Sequence, residues 1–117
     1  ENYLWWVHEG IAQYIANQTV LKKLKPENIN HFIENHLYCN NNYRDFTQHL
    51  GHQISKRLVF AIAERYGEGV LFEFLKIKPN KNSKQKIATI LNTSQEELEK
   101  KTRDLLIHGE KIILNYQ

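Results

Sequence analysis

One acidic residue, Glu9, stands out in the first helical pattern of the chain. Trp5, Glu9, Ala12 and Ala16 follow one another at spacings of four, three and four residues, so in a helix they share one face. The rest of that helix is apolar on most sides, which predicts that it is buried. A carboxylate is costly to bury without a partner. We therefore expect a cation, a metal ion or a set of hydrogen-bond donors beside Glu9.

Gly10, the next residue, is also unusual inside a helix. Glycine in a helix interior costs about 1 kcal/mol relative to alanine, and it is tolerated where another backbone or a ligand must come close. Neighbouring positions of one helix thus depart from local rules, and such departures concentrate at functional sites. A structural alternative is that Glu9 is buried and forms an ion pair with Arg57 or Arg65.

The residues around Glu9 also match a known pattern. Trp5-x-x-x-Glu9-Gly10-x-Ala12-x-Tyr14 resembles the second metal helix of the gluzincin metallopeptidases, most closely the peptidase MA-like group and more distantly the zinc aminopeptidases. In those families an HExxH motif on a preceding helix supplies two histidine ligands and a glutamate general base. The glutamate of the second helix is the third ligand. The resemblance implies that Glu9 is a zinc ligand in an open, catalytic arrangement of three protein ligands and water.

The resemblance extends to the middle of the chain. The segment from His52 to Ser55, followed by a helix that ends in Arg-Tyr-Gly at Gly67, is similar to a family segment in which a tyrosine stands three residues before a small residue. The family tyrosine donates a hydrogen bond to the developing oxyanion. His52 occupies the matching position, and an imidazole N–H can serve the same purpose. The resemblance implies an oxyanion donor at His52, and the alternative is an ordinary polar helix residue.

The sequence contains no HExxH motif. The segment from His8 to Ala12 begins like one, with His-Glu, but lacks the second histidine. The chain contains no Met and opens directly before a helical pattern, so we expect it to be the C-terminal piece of a longer protein. The intact protein would bind zinc and cleave a peptide or protein substrate, and its N-terminal half would supply HExxH. This chain alone is predicted to be inactive and to hold no zinc at Glu9. The alternative is a non-catalytic helical binding or structural module, a pseudo-peptidase without metal.

Asp45, His49 and His52 form a second candidate metal group. They fall at positions i, i+4 and i+7, so they share a face if one helix contains all three. Two histidines and an aspartate at that spacing can bind a divalent ion. An exposed polar face is the competing interpretation.

The remaining histidines and the single cysteine are weaker candidates for metal binding or catalysis. His36-x-x-Cys39 lies beside a loop, where a metal site would need further ligands. Cys39 as a nucleophile would need a base and an orienting group, and the sequence indicates no third member. His31 and His108 have no evident companion.

Composition and charge narrow the partners. The chain has 117 residues, of which 41% are hydrophobic and 25% charged, which suits one small helical domain or subdomain. Its formal net charge of +3 is mild and its lysines are scattered, so no nucleic-acid partner is expected. No apolar run reaches the roughly 18 residues that a membrane span requires.

The apolar periodicity predicts an all-α fold of five to six helices, as in the C-terminal subdomain of a gluzincin catalytic domain. Helices are predicted at about 3–17, 26–35, 48–66, 68–77, 83–91 and from 93 or 94 onward, with a loop at 39–42. Thr47 and Ser83 are predicted N-caps. Ser94 or Thr93 is predicted to begin the last helix with a capping box.

Overall fold

The computed structural model describes residues 3–16 and 23–115, with side chains as far as residue 107. In this part of the chain there are seven α-helices and no strands, which confirms the all-α class and adds one helix to the predicted number. The helices are α1 (Trp5–Ile15), α2 (Pro26–Asn35), α3 (Tyr43–Gln48), α4 (Gly51–Tyr66), α5 (Gly69–Leu75), α6 (Ser83–Ile90) and α7 (Leu98–Asn115). Asn17, the predicted end of the first helix, lies outside the described residues.

The additional helix arises from a break in the segment predicted as one helix from 48 to 66. Leu50 adopts a left-handed conformation with φ of 62°, and α4 begins immediately after it at Gly51. A side-chain carbon at Gly51 would lie 2.7 Å from the ring atom Cε2 of Phe46. Only glycine therefore allows α4 to start this close to the side chain that α3 buries.

The cap prediction for Thr47 is wrong, because Thr47 lies inside α3. Its hydroxyl donates to the carbonyl oxygen of Tyr43 at 3.1 Å, within the same helix. Asn42 caps α3 instead, and its side-chain oxygen accepts from the backbone N–H of Asp45 at 3.1 Å. Thr47 and Asn42 are both good capping residues, and the break at Leu50 decides which one is used.

Two further serines were predicted near helix starts. Ser83 is the first residue of α6, and its hydroxyl accepts from the Asn80 N–H and donates to the Lys78 carbonyl oxygen, both at 2.9 Å. It fixes the preceding turn rather than capping the helix. Ser94 accepts from the Glu97 N–H at 3.2 Å, as expected from one half of a capping box, and α7 begins at Leu98.

Helix α4 lies at the centre of the fold and packs most extensively against α1 and α7. None of the helices in the described residues is long and apolar enough to cross a membrane. The core around α4 consists of fully buried apolar side chains from all seven helices or their flanks, including Leu4, Trp6, Val7, Phe32, Ile33, Phe46, Ile54, Leu58, Ile62, Phe74, Ile87, Leu98 and Leu105.

Gly10 sets the distance between α1 and α4. A side-chain carbon at this position would lie 2.6 Å from the carbonyl oxygen of Ser55 and would overlap the side chain of Val59. The expectation that another backbone approaches Gly10 closely is therefore confirmed, and that backbone is α4. The start of α1 is held separately, because its Trp5 N–H donates to the side-chain oxygen of Asn40 at 2.9 Å.

The prediction that α1 is buried on most sides is wrong. The helix buries Trp6, Val7 and Gly10, whereas Ala12 is exposed and the side chain of Ile15 is 77% exposed. The face that carries Glu9 therefore opens to solvent instead of turning towards the core.

Candidate functional site

Glu9 lies on the open face of α1, and both of its carboxylate oxygens have hydrogen-bond partners. Oε1 accepts from the hydroxyl of Tyr43 at 3.0 Å, and Oε2 lies 3.1 Å from Nδ1 of His52. The Glu9 side chain is 33% exposed. The expected compensation for the carboxylate is thus a phenol and an imidazole, rather than an ion pair with Arg57 or Arg65.

His52 reaches Glu9 from the first turn of α4, although the two residues are 43 positions apart in the sequence. The close packing of α1 on α4 at Gly10 brings them together. The backbone carbonyl oxygen of His52 also accepts from the side-chain amide of Gln13 at 3.2 Å, and its ring lies edge-on to the Phe46 ring at 5.5 Å. Both residues proposed from the resemblance therefore lie in one site.

Tyr43 is the member of this site that sequence reasoning missed. It is the first residue of α3, and its ring packs edge-on against Trp5 at 5.1 Å. Desolvation and the adjacent Glu9 carboxylate raise the pKa of the Tyr43 phenol, so the phenol keeps its proton and donates. No spacing in the sequence links Tyr43 to Glu9, because Tyr43 lies between the predicted loop at 39–42 and the helix predicted from 48.

An open pocket of about 450 Å³ adjoins the carboxylate. Its wall is largely aromatic, and its lining residues are Tyr3, Trp5, His8, Glu9, Ala12 and Tyr43. The His8 ring stacks on the Tyr3 ring with 3.7 Å between the centroids. The pocket thus combines aromatic side chains with one carboxylate and nearby proton donors.

Glu9 fits the role of one metal ligand but not of a complete site. A catalytic zinc needs three protein ligands and an open position. Among the described side chains, the group of three potential ligands that converges is elsewhere, at His31, His36 and Asp45, and Glu9 is not part of it. The residues present around Glu9 would hold the carboxylate and would leave two ligand positions to be supplied from outside these helices.

A second carboxylate, Asp45, lies among three histidines, and we call this group the Asp45 cluster. Its members are His31 on α2, His36 just after α2, Asp45 on α3 and His49 just after α3. Nε2 of His31 and Nε2 of His36 lie 2.6 and 2.8 Å from the same oxygen, Oδ2 of Asp45. Nδ1 of His49 lies 3.2 Å from Oδ1 of Asp45. The interpretation of His31 as a histidine without companions is therefore wrong.

The predicted group of Asp45, His49 and His52 is only partly assembled. Asp45 and His49 do meet, but His52 belongs to α4 and faces Glu9. The physical reason is the break at Leu50, which removes the i, i+7 relation that a single helix would create.

Electrostatics differ among the members of this cluster. The hydrogen bond from His31, followed by that from His36, lowers the pKa of the Asp45 carboxyl. Burial lowers the pKa of His36 and outweighs the opposing effect of Asp45. Cys39 is exposed, and its Sγ lies 3.6 Å from the carbonyl oxygen of Asn35. His36 therefore faces Asp45, and the geometry provides no support for a His36 and Cys39 pair.

Comparison of the chain with models of protein families, with curated proteins and with solved structures finds no match. The function must therefore be argued from the two carboxylate-centred sites themselves. His108 remains a prediction, since its side chain lies outside the described ones.

Proposed function

We propose that this chain is the C-terminal helical part of a zinc-dependent metallopeptidase, in which Glu9 is the third zinc ligand. The observation that carries the proposal is the meeting of Glu9, Tyr43 and His52 beside an open, aromatic-walled pocket. The sequence pattern around Glu9 and the pattern around His52 each suggested a role in the same site. The two segments are joined by long-range packing, so their meeting supports a common role.

In this proposal, Tyr43 and His52 first orient the Glu9 carboxylate towards the metal. Each carboxylate oxygen has two lone-pair positions. Tyr43 and His52 each occupy one position on a different oxygen. The open pocket adjoins the carboxylate, and a metal would approach from there. Hydrogen-bonded partners of this kind orient a ligand and tune its basicity, and their loss typically costs roughly 10–100-fold in metal affinity or activity.

The second role of Tyr43 and His52 is to stabilise negative charge on the substrate. A bound zinc ion would polarise the scissile carbonyl and lower the pKa of water. Tyr43 and His52 are the hydrogen-bond partners of Glu9. A phenol or a neutral imidazole has one proton to donate, so either residue would donate to a substrate oxyanion by releasing its hydrogen bond to Glu9. The raised pKa of Tyr43 keeps its phenol protonated for this purpose.

The open face of α1 provides a surface for the helix that would carry HExxH. Ala12 is exposed and small, which permits close approach of a second helix, and Ile15 is 77% exposed. These exposed apolar side chains are available for contact with another part of the intact protein.

The proposal is tested first by the coding sequence upstream of Glu1. An HExxH motif there, on a predicted helix, is the expected result, and its absence would remove the peptidase proposal. In the intact protein, Glu9→Gln should lower bound zinc, measured by elemental analysis after dialysis, while circular dichroism stays unchanged. Glu99→Gln, on the exposed part of α7, is the matched control. Unchanged zinc in Glu9→Gln would refute the ligand assignment.

A donor role for His52 has a different signature from a ligand role. His52→Ala in the intact protein should lower kcat by about 100-fold, the size typical for removal of one oxyanion donor, and most of the zinc should remain. Equal losses of zinc in His52→Ala and Glu9→Gln would show that His52 acts by holding Glu9 rather than by touching the substrate.

A non-catalytic helical module is the second candidate function. Its supporting observation is that Glu9 is already satisfied within this chain, by Tyr43 and His52. A scaffold that had lost its metal would keep such hydrogen bonds for stability. An upstream region without HExxH, together with no zinc in the intact protein, would decide for this alternative.

A further inference from the structure

The Asp45 cluster is a second site, and its geometry differs from that of an ordinary ion pair. Two imidazole nitrogens converge on a single carboxylate oxygen, His31 Nε2 at 2.6 Å and His36 Nε2 at 2.8 Å from Oδ2. One such hydrogen bond would be enough to satisfy a solvent-exposed aspartate. A third imidazole, that of His49, stacks on the His31 ring with 4.0 Å between the centroids and lies 3.2 Å from the other oxygen.

His36 forms the fixed base of the cluster. Its side chain is only 2% exposed, whereas those of His31 and Asp45 are about a third exposed, at 31% and 29%. The His36 ring packs edge-on against the buried ring of Phe46 at 5.3 Å. The potential ligand atom of His36 is thus held rigidly in the buried part of the cluster. Those of His31 and Asp45 lie nearer the surface, where small side-chain rotations can adjust them.

The backbone positions these groups by local means. His31 lies on α2, His36 follows the last residue of α2, and Asp45 lies in the first turn of α3. The Asn-rich loop between the two helices is short, and Asn42 anchors its end by accepting from the Asp45 N–H. The cluster is therefore assembled within one supersecondary unit and needs no residue from outside this chain.

We propose that His31, His36 and Asp45 bind a divalent transition-metal ion of the zinc class, with His49 available as a fourth ligand. Their potential ligand atoms all lie within 4.8 Å of one another. Two imidazole nitrogens and one carboxylate oxygen suit Zn²⁺, Co²⁺ or Ni²⁺, whereas Mg²⁺ and Ca²⁺ prefer all-oxygen sites. The site is separate from Glu9 and does not depend on the peptidase proposal.

Binding requires only a small expansion of the cluster. Zinc bonds of about 2.0–2.1 Å in a tetrahedron place neighbouring ligand atoms ~3.3 Å apart. The two N···O distances are now 2.6 and 2.8 Å. The ion would replace the Nε2 protons in the two hydrogen bonds to Asp45, and each imidazole would then bind it as a neutral ring with its one proton on Nδ1; a second proton, where a ring carries one, would leave to solvent. His31 and Asp45, which are about a third exposed, can move by the roughly 0.5 to 0.7 Å that these two distances require.

Metal titration of this chain tests the proposal. We expect one Zn²⁺ per chain by isothermal calorimetry, and with Co²⁺ we expect the visible absorption of a four-coordinate site. His31→Gln and Asp45→Asn should each weaken binding by at least about tenfold, because they remove a direct ligand. His8→Gln and Glu99→Gln are the matched controls, since both side chains lie away from the cluster, and they should leave the affinity unchanged. Glu9→Gln reports whether the ion binds at the other pocket instead.

A second measurement keeps the test decisive if a variant folds poorly. In the unmodified chain, Zn²⁺ should shift the imidazole NMR signals of His31, His36 and His49 and leave those of His8 and His52 in place. The proposal is overturned by absence of saturable binding, by shifts confined to His8 and His52, or by full affinity in folded His31→Gln and Asp45→Asn. A loss that occurs only in Glu9→Gln would likewise overturn it and would place the ion at the other site.

Discussion

The molecule has two carboxylates with imidazole partners, and the Phe46 ring contacts one histidine of each site. The two sites differ in how many partners surround the carboxylate. Glu9 has one imidazole and one phenol and faces an open pocket. Asp45 has three imidazoles, which enclose both of its oxygens. The first site needs further ligands from outside these helices to hold a metal, and the second has a ligand set of its own. A sequence motif therefore pointed to the less complete of the two sites.

The two sites also differ in what holds them together. Glu9 and His52 come from helices far apart in the sequence, and they meet because Gly10 lets α1 approach α4. The members of the Asp45 cluster lie within 14 residues of Asp45 and meet because α2 and α3 are joined by a short loop. Changes in long-range packing should therefore disturb the first site more than the second.

Replacement of Phe46 should have the largest effect, because its ring is fully buried and contacts one histidine of each site. Phe46→Ala should lower the free energy of unfolding by about 3–5 kcal/mol, measured by urea denaturation. Phe72→Ala is the control, since Phe72 is 66% exposed and should change stability little. A small effect of Phe46→Ala would mean that the two sites are not supported by a common core.

Gly10→Ala should perturb the Glu9 site and leave the Asp45 cluster unchanged. The added carbon would collide with Ser55 and Val59, and overpacking of this kind costs roughly 1–3 kcal/mol. NMR signals of His52 should shift, whereas those of His31 and His49 should not. Gly69→Ala is the control, because its side-chain carbon would meet nothing within 4 Å. Equal perturbation of all histidines by Gly10→Ala would contradict the separation.

In the metal-free chain, we expect His36 and Asp45 of the Asp45 cluster to make stability depend on pH. Burial lowers the pKa of His36, so the folded state resists its protonation, and stability should fall as the pH drops below about 6.5. The lowered pKa of Asp45 adds a loss below about pH 4, because the unfolded carboxyl takes up its proton first. Both losses of stability therefore occur on the acid side of neutral pH. The titratable groups near His36 and Asp45 are His31 and His49.

Thermal denaturation across about pH 3 to 8 checks both expectations. His36→Gln should have a flatter pH profile than the unmodified chain, although its stability at neutral pH is lower. His52→Gln, which alters the other site, should keep the profile. A profile that flattens only in His52→Gln would assign the titration to the Glu9 site.

Tyr43→Phe should have the smallest effect on stability. It removes one hydrogen bond to Glu9 at the surface, and a hydrogen bond contributes about 0.5–1.5 kcal/mol. We expect the lower end of that range because Tyr43 is 44% exposed. The measurement is urea denaturation, with Tyr3→Phe as the control, and a loss above the range would show that Tyr43 also supports the packing of α3.

The sequence predicted most helices because their signals are local. Pro26 marks the start of α2, the apolar repeat marks the body of α4, and Ser94 accepts the hydrogen bond expected before α7. The break before α4 could not be predicted in this way. Leucine seldom adopts a left-handed conformation, and Leu50 does so because Gly51 packs on Phe46, a contact set by tertiary structure.

The missed break also explains what was missed in the two sites. A continuous helix would place Asp45, His49 and His52 together, whereas the observed turn sends His52 to Glu9 and leaves Asp45 to His31 and His36. Glu9 and His52 were proposed from a resemblance and not from spacing. No rule of periodicity relates His31 to Asp45, because a loop lies between them.

The shortest of these helices, α3, contributes to both carboxylate sites. Tyr43 donates to Glu9, and Asp45, two residues later, accepts from His31 and His36. Side chains two residues apart point to different sides of a helix, so one rigid turn contacts both sites. Occupancy of the Asp45 site should therefore alter how well Tyr43 supports a ligand at Glu9. By thermodynamic linkage, a ligand at Glu9 should change the affinity of the Asp45 site by the same factor.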